Sequence, residues 1–331
     1  MTDVSKLTPF HDIYKTIRTD LNAVENLLKE IGGSSNPLIA EVNKYLFQKE
    51  GKRIRPALLI LCSKLGGYRG TDHVFWSALV EIIHTASLIH DDIVDNSFLR
   101  RGRDTVHAKW GPNITVLLGD FLYIQSIALA LRTKNHAIID ILADVTVRMI
   151  EGELIEYSIT GKPELSEDLY LEILDKKTAQ LFSASCRIGG VLAGSLPEEE
   201  QRLCEFGRNL GLSFQIIDDL LDFTGDEATL GKPILSDFRE GRITLPLIHA
   251  LRRTKGQARV ELLHLIHNRK TEKNAGKKIL AQIVSLGALD YAYQRAAAFS
   301  QKAKAILAAF PKSPHRESLN RMADMVLQRR K

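Results

Sequence analysis

What this sequence has little of narrows it first. It holds only three cysteines, Cys62, Cys186 and Cys204, and they lie far apart. No C-x-x-C pair occurs, so neither a cysteine zinc site nor a disulfide framework is expected, and a reducing cytoplasm is the default setting. No charge-free run exceeds 11 residues, short of the roughly 20 that a membrane-spanning helix needs. The N-terminal MTDVSKLTPF lacks a basic segment leading into an apolar run, so no secretory leader is expected. Alternating apolar runs joined by turn dipeptides, the mark of strands, are missing, and so is any low-complexity linker. Prolines number ten, and several stand where helices should start or stop: Pro37, Pro56, Pro112, Pro163, Pro197 and Pro311. The basic residues form no long tract and few aromatics lie among them, so a formal charge of +5 and a pI near 9.0 give nucleic-acid binding little support. That balance still suits an anionic small molecule or an acidic membrane surface.

The remainder is long helical text. Apolar content of 44% and charged content of 26% are ordinary for a soluble globular chain, and 331 residues can bury a sizeable core. Val74, Ala78, Ile82, Ala86, Ile89 and Ile93 recur every three or four residues, the spacing of one helix face. The expectation is an all-α chain folded as one domain over residues 1–331, with Asn268 to Lys278 as a solvated loop or helix end.

Two acidic clusters interrupt this apolar pattern. LIHDDIVDNSFLRRG carries Asp91, Asp92 and Asp95, and FQIIDDLLDFTGD carries Asp218, Asp219 and Asp222 with the same D-D-x-x-D spacing. Residues four apart on a helix share a face, so each cluster concentrates like charge within one turn. Such carboxylates raise one another's pKa unless cations neutralise them. One cluster could be a polar patch on a helix; two identical ones inside apolar stretches call for a common purpose. Facing each other across a cavity, they would suit hard divalent cations with oxygen ligands, Mg²⁺ first, with phosphate oxygens completing the shell. Basic residues stand nearby: Lys52, Arg53 and Arg55 in EGKRIRP, Arg100 and Arg101 after the first cluster, Lys176 and Lys177 in DKKTAQLF, Lys232 in LGKP, and Arg239 and Arg242 in DFREGR. Arginine grips phosphate bidentately and lysine acts as a point charge.

Together GKRIRP, HDDIVDNSFLRRG, LGDFL, KTAQLF, FQIIDDLLDFTGD and LGKPILSDFREGRITLP resemble, in order, the motifs of the trans-isoprenyl diphosphate synthases, most closely the long-chain bacterial branch. The resemblance implies a bundle of antiparallel α-helices around a deep central cavity, and a homodimer. It implies that Asp91, Asp92 and Asp95 together with Asp218, Asp219 and Asp222 hold three Mg²⁺ on the diphosphate of an allylic substrate such as farnesyl diphosphate. Among the second three, Asp218 and then Asp222 would be the direct ligands. Arg100, Lys177, Lys232 and Arg242 would complete that pocket, although many relatives carry Lys where Arg242 stands. Lys52, Arg55, His84 and Arg101 would hold isopentenyl diphosphate, and Thr178 and Gln215 would face the developing cation. From the residues alone, His84 reads first as a core histidine on the apolar face of its helix.

The chemistry implied needs no protein nucleophile, and no G-x-S-x-G or Cys/His arrangement is present. The allylic C–O bond breaks as its diphosphate is neutralised, the alkene of isopentenyl diphosphate attacks the resulting cation, and a proton is lost to the released diphosphate. Preorganised charge and exclusion of water carry the catalysis. Small Ala86 and Ser87, five and four residues before Asp91, leave a growing tail a path that an aromatic would close, with branched Ile82 and Ile83 one turn deeper. The expected product is therefore longer than C20, within C30–C50 with C40 favoured, used as a quinone side chain and released at a membrane surface. The alternatives are a C15–C25 synthase and a non-catalytic subunit of a heteromeric synthase. A terpene cyclase would leave Lys52, Arg55 and Arg101 idle. A phosphohydrolase built on His90-Asp91 would leave the second cluster unexplained, and a helical scaffold would have no use for either cluster.

Overall fold

A computed structural model describes residues 11–48, 51–100, 102–225 and 234–328. Its helices are α1 His11–Tyr14, α2 Arg18–Ile31, α3 Pro37–Phe47, α4 Ile54–Leu65, α5 Asp72–Val94, α6 Val106–Trp110, α7 Pro112–Arg132, α8 His136–Ile159 and α9 Glu167–Leu174, then α10 Gln180–Ala193, α11 Pro197–Thr224, α12 Ser236–Glu240, α13 Leu245–Arg253, α14 Gly256–His267, α15 Ala275–Ser285, α16 Ala288–Leu307 and α17 Pro314–Gln328. A 3₁₀ turn, Lys15–Ile17, joins α1 to α2, and a π-helical turn, Asp175–Ala179, joins α9 to α10. Proline occupies the first position of α3, α7 and α11, where its missing N–H leaves no bond unmade. Asn36, Thr105, Asn135 and Ser166 cap α3, α6, α8 and α9 through their side-chain oxygens.

The core is centred on α4, which is buried at every position from Pro56 to Ser63. It packs on α5, α10 and α17, and α10 in turn packs on α11. Glycines set these approaches. A Cβ on Gly189 of α10 would meet Leu59 O of α4 at 2.6 Å, and one on Gly207 of α11 would meet Phe182 O of α10 at 2.5 Å. The same packing collects the sequence-distant cysteines. Burial and the neighbouring Cys62 and Cys204 push the Cys186 thiol up, and all three remain free thiols.

At the start of α4, Arg53 takes a left-handed conformation, φ +48°, and turns its guanidinium inward. It pairs with Glu25 of α2, including Nη2 to Oε2 at 3.0 Å, and with Glu81 of α5 at 2.7 Å. Both carboxylates are buried.

Among the described residues one short strand pair accompanies the all-α architecture. β1, Leu99–Arg100, pairs antiparallel with β2, Arg103–Asp104, with Gly102 at φ +72° between them. Four strand residues are too few to show as alternation in a sequence. Thr105 closes the base by donating from Oγ1 to Ser97 O at 2.7 Å.

Candidate active site

Both acidic clusters stand at helix C-termini. Asp91 and Asp92 fill the last turn of α5 with Asp95 as its C-cap, and Asp218, Asp219 and Asp222 fill the last turns of α11. Neither helix has a basic residue in its last turn. Carboxylates there face the negative end of the helix dipole, the arrangement least favourable for their charge and most favourable for an added cation. Asn96 ends α5 in the left-handed conformation at φ +50°; its N–H bonds to Ile93 O at 3.0 Å and the Ser97 N–H to Asp92 O at 2.8 Å. That Schellman turn sends the chain back along the helix, so that Arg100 Nε reaches Asp92 Oδ1 at 2.7 Å.

Arg242 links the two clusters. Its Nη1 donates to Asp95 Oδ1 at 2.8 Å, and its other nitrogens donate to Asp237 Oδ1 at 3.1 and 3.2 Å and to Glu240. Asp237 starts beside the second cluster, because its own N–H donates to Asp222 Oδ2 at 3.1 Å. Asp222 is fully buried and also accepts from Ser236 N at 3.2 Å and Ser236 Oγ at 2.6 Å. Placed this way, Asp222 anchors the start of α12. Asp219 accepts from Tyr170 Oη at 2.6 Å and from Gln215 Nε2 at 2.9 Å, and Thr178 Oγ1 donates to Gln215 Oε1 at 3.0 Å.

Lys177 and Thr178 come from the π turn, whose insertion lets two consecutive side chains reach different helices. A Cβ on Gly152 of α8 would meet Lys177 N at 2.8 Å, so only glycine admits the turn there. Lys177 Nζ pairs with Glu153 at 2.8 Å and Glu156 at 2.5 Å, both on α8. These two glutamates, with Tyr170 and Asp237, belong to the site and were not singled out in the sequence. Glu153 and Glu156, three apart in EGELIEY and so on one face of α8, were the available signal.

The electrostatics follow from burial and crowding. Burial, then Glu153 and Asp95, push the Asp91 carboxyl up to about 8 against the pull of Lys177 and Arg100. Burial, then Asp237 and Asp218, push Asp219 up to about 8 although Tyr170 and Gln215 bond to it. Glu153 is raised by burial, with Lys177 opposing. Burial pulls Lys177 down, but Glu156, Glu153 and Asp91 together hold it well above the usual lysine range. Such a site has more carboxylate than its own cations neutralise, and its donors are all oxygen, which fits a hard divalent cation. Among the described residues, no three acidic, His or Cys side chains already converge at metal-ligating distance.

The other expected residues divide. Lys52 is exposed, with its carbonyl accepting from Tyr14 Oη at 2.8 Å, and Arg55 lies 4.7 Å over the Phe182 ring. His84 is half-buried rather than a closed core residue. Arg101 and Lys232 lie outside the described residues. Ala86, Ile82 and Ile83 are fully enclosed in the core, and Ser87 donates to His84 O at 2.8 Å. Cavities of about 420 and 380 Å³ lie elsewhere: one is lined by Ile159, Leu165, Leu169 and Leu263, the other by Ile141, Gln180, Arg187 and Cys204.

The polyprenyl synthetase family model matches residues 36–283. The chain is a member of the polyprenyl synthetase family. Octaprenyl diphosphate synthase of Escherichia coli is 36% identical over 311 residues, covering 94% of this chain and 96% of the relative. The short chain isoprenyl diphosphate synthase of Methanothermobacter thermautotrophicus is 33% identical over 315 residues, covering 93% and 95%. A polyprenyl synthase of Caulobacter crescentus, solved with calcium and isoprenyl diphosphate, superposes with a TM-score of 0.91 at 36% identity, covering 97% of this chain and 98% of that one. This polyprenyl synthetase is thus an all-α trans-prenyltransferase, a prenyl diphosphate synthase, and its two carboxylate-bearing helix ends lie within the matched region.

Proposed function

We propose that this enzyme condenses isopentenyl diphosphate head-to-tail onto an allylic diphosphate such as farnesyl diphosphate, with Mg²⁺, to make a long all-trans polyprenyl diphosphate of C30–C50, C40 favoured. The observation that carries the reading is the pair of carboxylate clusters tied together through Arg242 and Asp237. Asp91, Asp92, Asp95, Asp218, Asp219 and Asp222 would hold three Mg²⁺, with Asp222 also bonded to the start of α12. When bound, Mg²⁺ neutralises the diphosphate and stabilises negative charge on its leaving oxygen.

The chain's own cations do the rest. Arg100, Lys177, Lys232 and Arg242 bind the allylic diphosphate. Arg100 and Arg242, paired with Asp92 and Asp95 in the structure, exchange those partners for phosphate oxygens. Glu153 and Glu156 fix the Lys177 ammonium before substrate arrives. Lys52, Arg55, His84 and Arg101 bind isopentenyl diphosphate. Thr178, oriented by its bond to Gln215, presents its oxygen to the developing allylic cation, and the apolar helices exclude water that would quench it. Similarity to octaprenyl diphosphate synthase and the lack of an aromatic at Ala86 or Ser87 support the long product, with α5 and its neighbours parting around the tail.

The chain acts as one domain and as a homodimer. Exposed Leu117, Ile124 and Leu131 on α7 and Val147, Ile150, Leu154 and Tyr157 on α8 form apolar stripes at helical spacing. The most apolar window of α7 is only 33% buried, as expected of a helix that meets a second copy. We place the enzyme in the cytoplasm, with brief membrane contact as the apolar product leaves towards a quinone. Chelation tests the metal requirement. EDTA-treated protein should not incorporate labelled isopentenyl diphosphate onto farnesyl diphosphate, and Mg²⁺ should restore incorporation. Undiminished condensation without divalent metal would overturn the reading.

A further inference from the structure

The C-terminal end of α3 grips the β1–β2 hairpin from outside the site. Tyr45 Oη donates to Asp104 O at 2.7 Å. Two cations lie over the Tyr45 ring, Arg103 Cζ and Lys109 Nζ, each 4.4 Å from its centroid. Trp110 meets the same ring edge-on at 5.1 Å and 72°, and Lys109 Nζ lies 4.6 Å over Trp110 as well. Arg103 Nη2 also donates to Gln48 Oε1 at 3.2 Å. Arg103 and Lys109 repel each other, and the negative faces of Tyr45 and Trp110 offset that repulsion.

The grip is transmitted inward. Arg103 pairs in register with Arg100 across the hairpin, and Arg100 Nε reaches Asp92 Oδ1 at 2.7 Å. A continuous chain of contacts therefore runs from α3 through β2 and β1 to the first acidic cluster. The helix that provides the grip is itself held firmly. Val42 and Phe47 are buried, and Asn43 Nδ2 donates to Gly32 O at 2.8 Å.

We infer that Tyr45 is a positioning residue for diphosphate binding: it clamps Arg103, Lys109 and the Asp104 carbonyl so that the hairpin presents Arg100 at a fixed distance from Asp92. The inference rests on the diphosphate-binding reading above. An exposed hairpin of four strand residues is too small to hold its own geometry. Without the clamp, the arginines would sample many positions and diphosphate binding would bear the ordering cost.

The test uses the full-length protein with Mg²⁺ and inorganic diphosphate, titrated calorimetrically, beside steady-state condensation and thermal melting. Y45F keeps the ring and loses the bond to Asp104 O, and should weaken diphosphate binding by about fivefold. Y45L loses the ring as well and should weaken it by about tenfold or more. The KM for both diphosphate substrates should rise in the same order, with kcat within about twofold of wild type, because saturating substrate restores the hairpin. A merely structural role would lower Tm and kcat together and leave KM and diphosphate affinity unmoved, which overturns the inference. If Y45L does not fold, R103M/K109M answers instead, because it removes both cations and leaves Tyr45; wild-type affinity in that double variant also overturns the inference. Wild-type protein that neither binds diphosphate nor condenses substrates would instead sink the underlying functional reading.

Discussion

The raised carboxyls make the metal-free enzyme sensitive to pH in a direction fixed by their sign. Asp91 and Asp219 titrate at about 8 in the folded chain and near 3.9 when unfolded. Between those values the folded state holds protons that the unfolded state has released, so stability falls as pH rises. Below about pH 4 both states are protonated and the penalty vanishes. Each carboxyl lowers stability by at most about 1.4 kcal/mol per pH unit in that window. Asp91 is half-buried and each carboxyl interacts with other titrating groups, so about half the summed effect, roughly 3 kcal/mol from pH 6 to pH 8, is the fair expectation. At about 2.1 cal/mol/K of unfolding entropy per residue, a chain of 331 residues should lose about 4 °C in Tm over that interval. The assay is a melting curve of EDTA-treated protein against pH, beside D91N/D219N, in which the two groups no longer titrate. The variant should lack this part of the slope and exceed wild type in Tm at pH 8. Mg²⁺ with diphosphate should release about two protons per active site at pH 7, read calorimetrically in buffers of different ionisation enthalpy. Identical pH slopes in wild type and variant, together with no proton release, would refute the reasoning.

Three further outcomes follow from particular contacts. R53M leaves the Glu25 and Glu81 carboxylates buried without their cation and should cost about 3–5 kcal/mol by denaturant unfolding; R53M/E25Q/E81Q should recover much of that loss, and an R53M protein as stable as wild type would show the triad to be dispensable. A86F places an aromatic one turn before Asp91 and should shorten the main product by at least one isoprene unit on reversed-phase chromatography, whereas an unchanged ladder would mean that the tail does not pass Ala86. L154D/Y157D puts charge on the exposed stripe of α8 and should convert a dimer to a monomer in sedimentation velocity; wild-type protein that sediments as a monomer would remove α8 as the interface.

Much of the site could be read in the sequence because its charged residues interrupt apolar helices. The spacing of Ala78, Ile82, Ala86 and Ile89 marks α5, and these four are indeed buried. The repeated D-D-x-x-D marks where two helices must end near each other, and Asn96 is a visible stop signal. The π turn was not legible, because its close contact with Gly152 comes from another helix, which local sequence does not show. Glu153 and Glu156 were passed over because a glutamate on a helix usually faces solvent; their role appears only when Lys177 is brought to them. The anchoring of Asp222 was hidden for a similar reason, since its donors come from Ser236 and Asp237, 14 and 15 residues later. The convergence of Cys62 and Cys186 likewise comes from α4 packing on α10, to which sequence distance is blind.

The central claim is tested most directly by product length. Purified enzyme with Mg²⁺, farnesyl diphosphate and excess isopentenyl diphosphate should yield all-trans products between C30 and C50 by mass spectrometry, with C40 the most abundant. A ladder that stops at C20 would contradict the long-chain assignment, and no condensation at all would contradict the assignment of these carboxylates and cations to prenyl transfer.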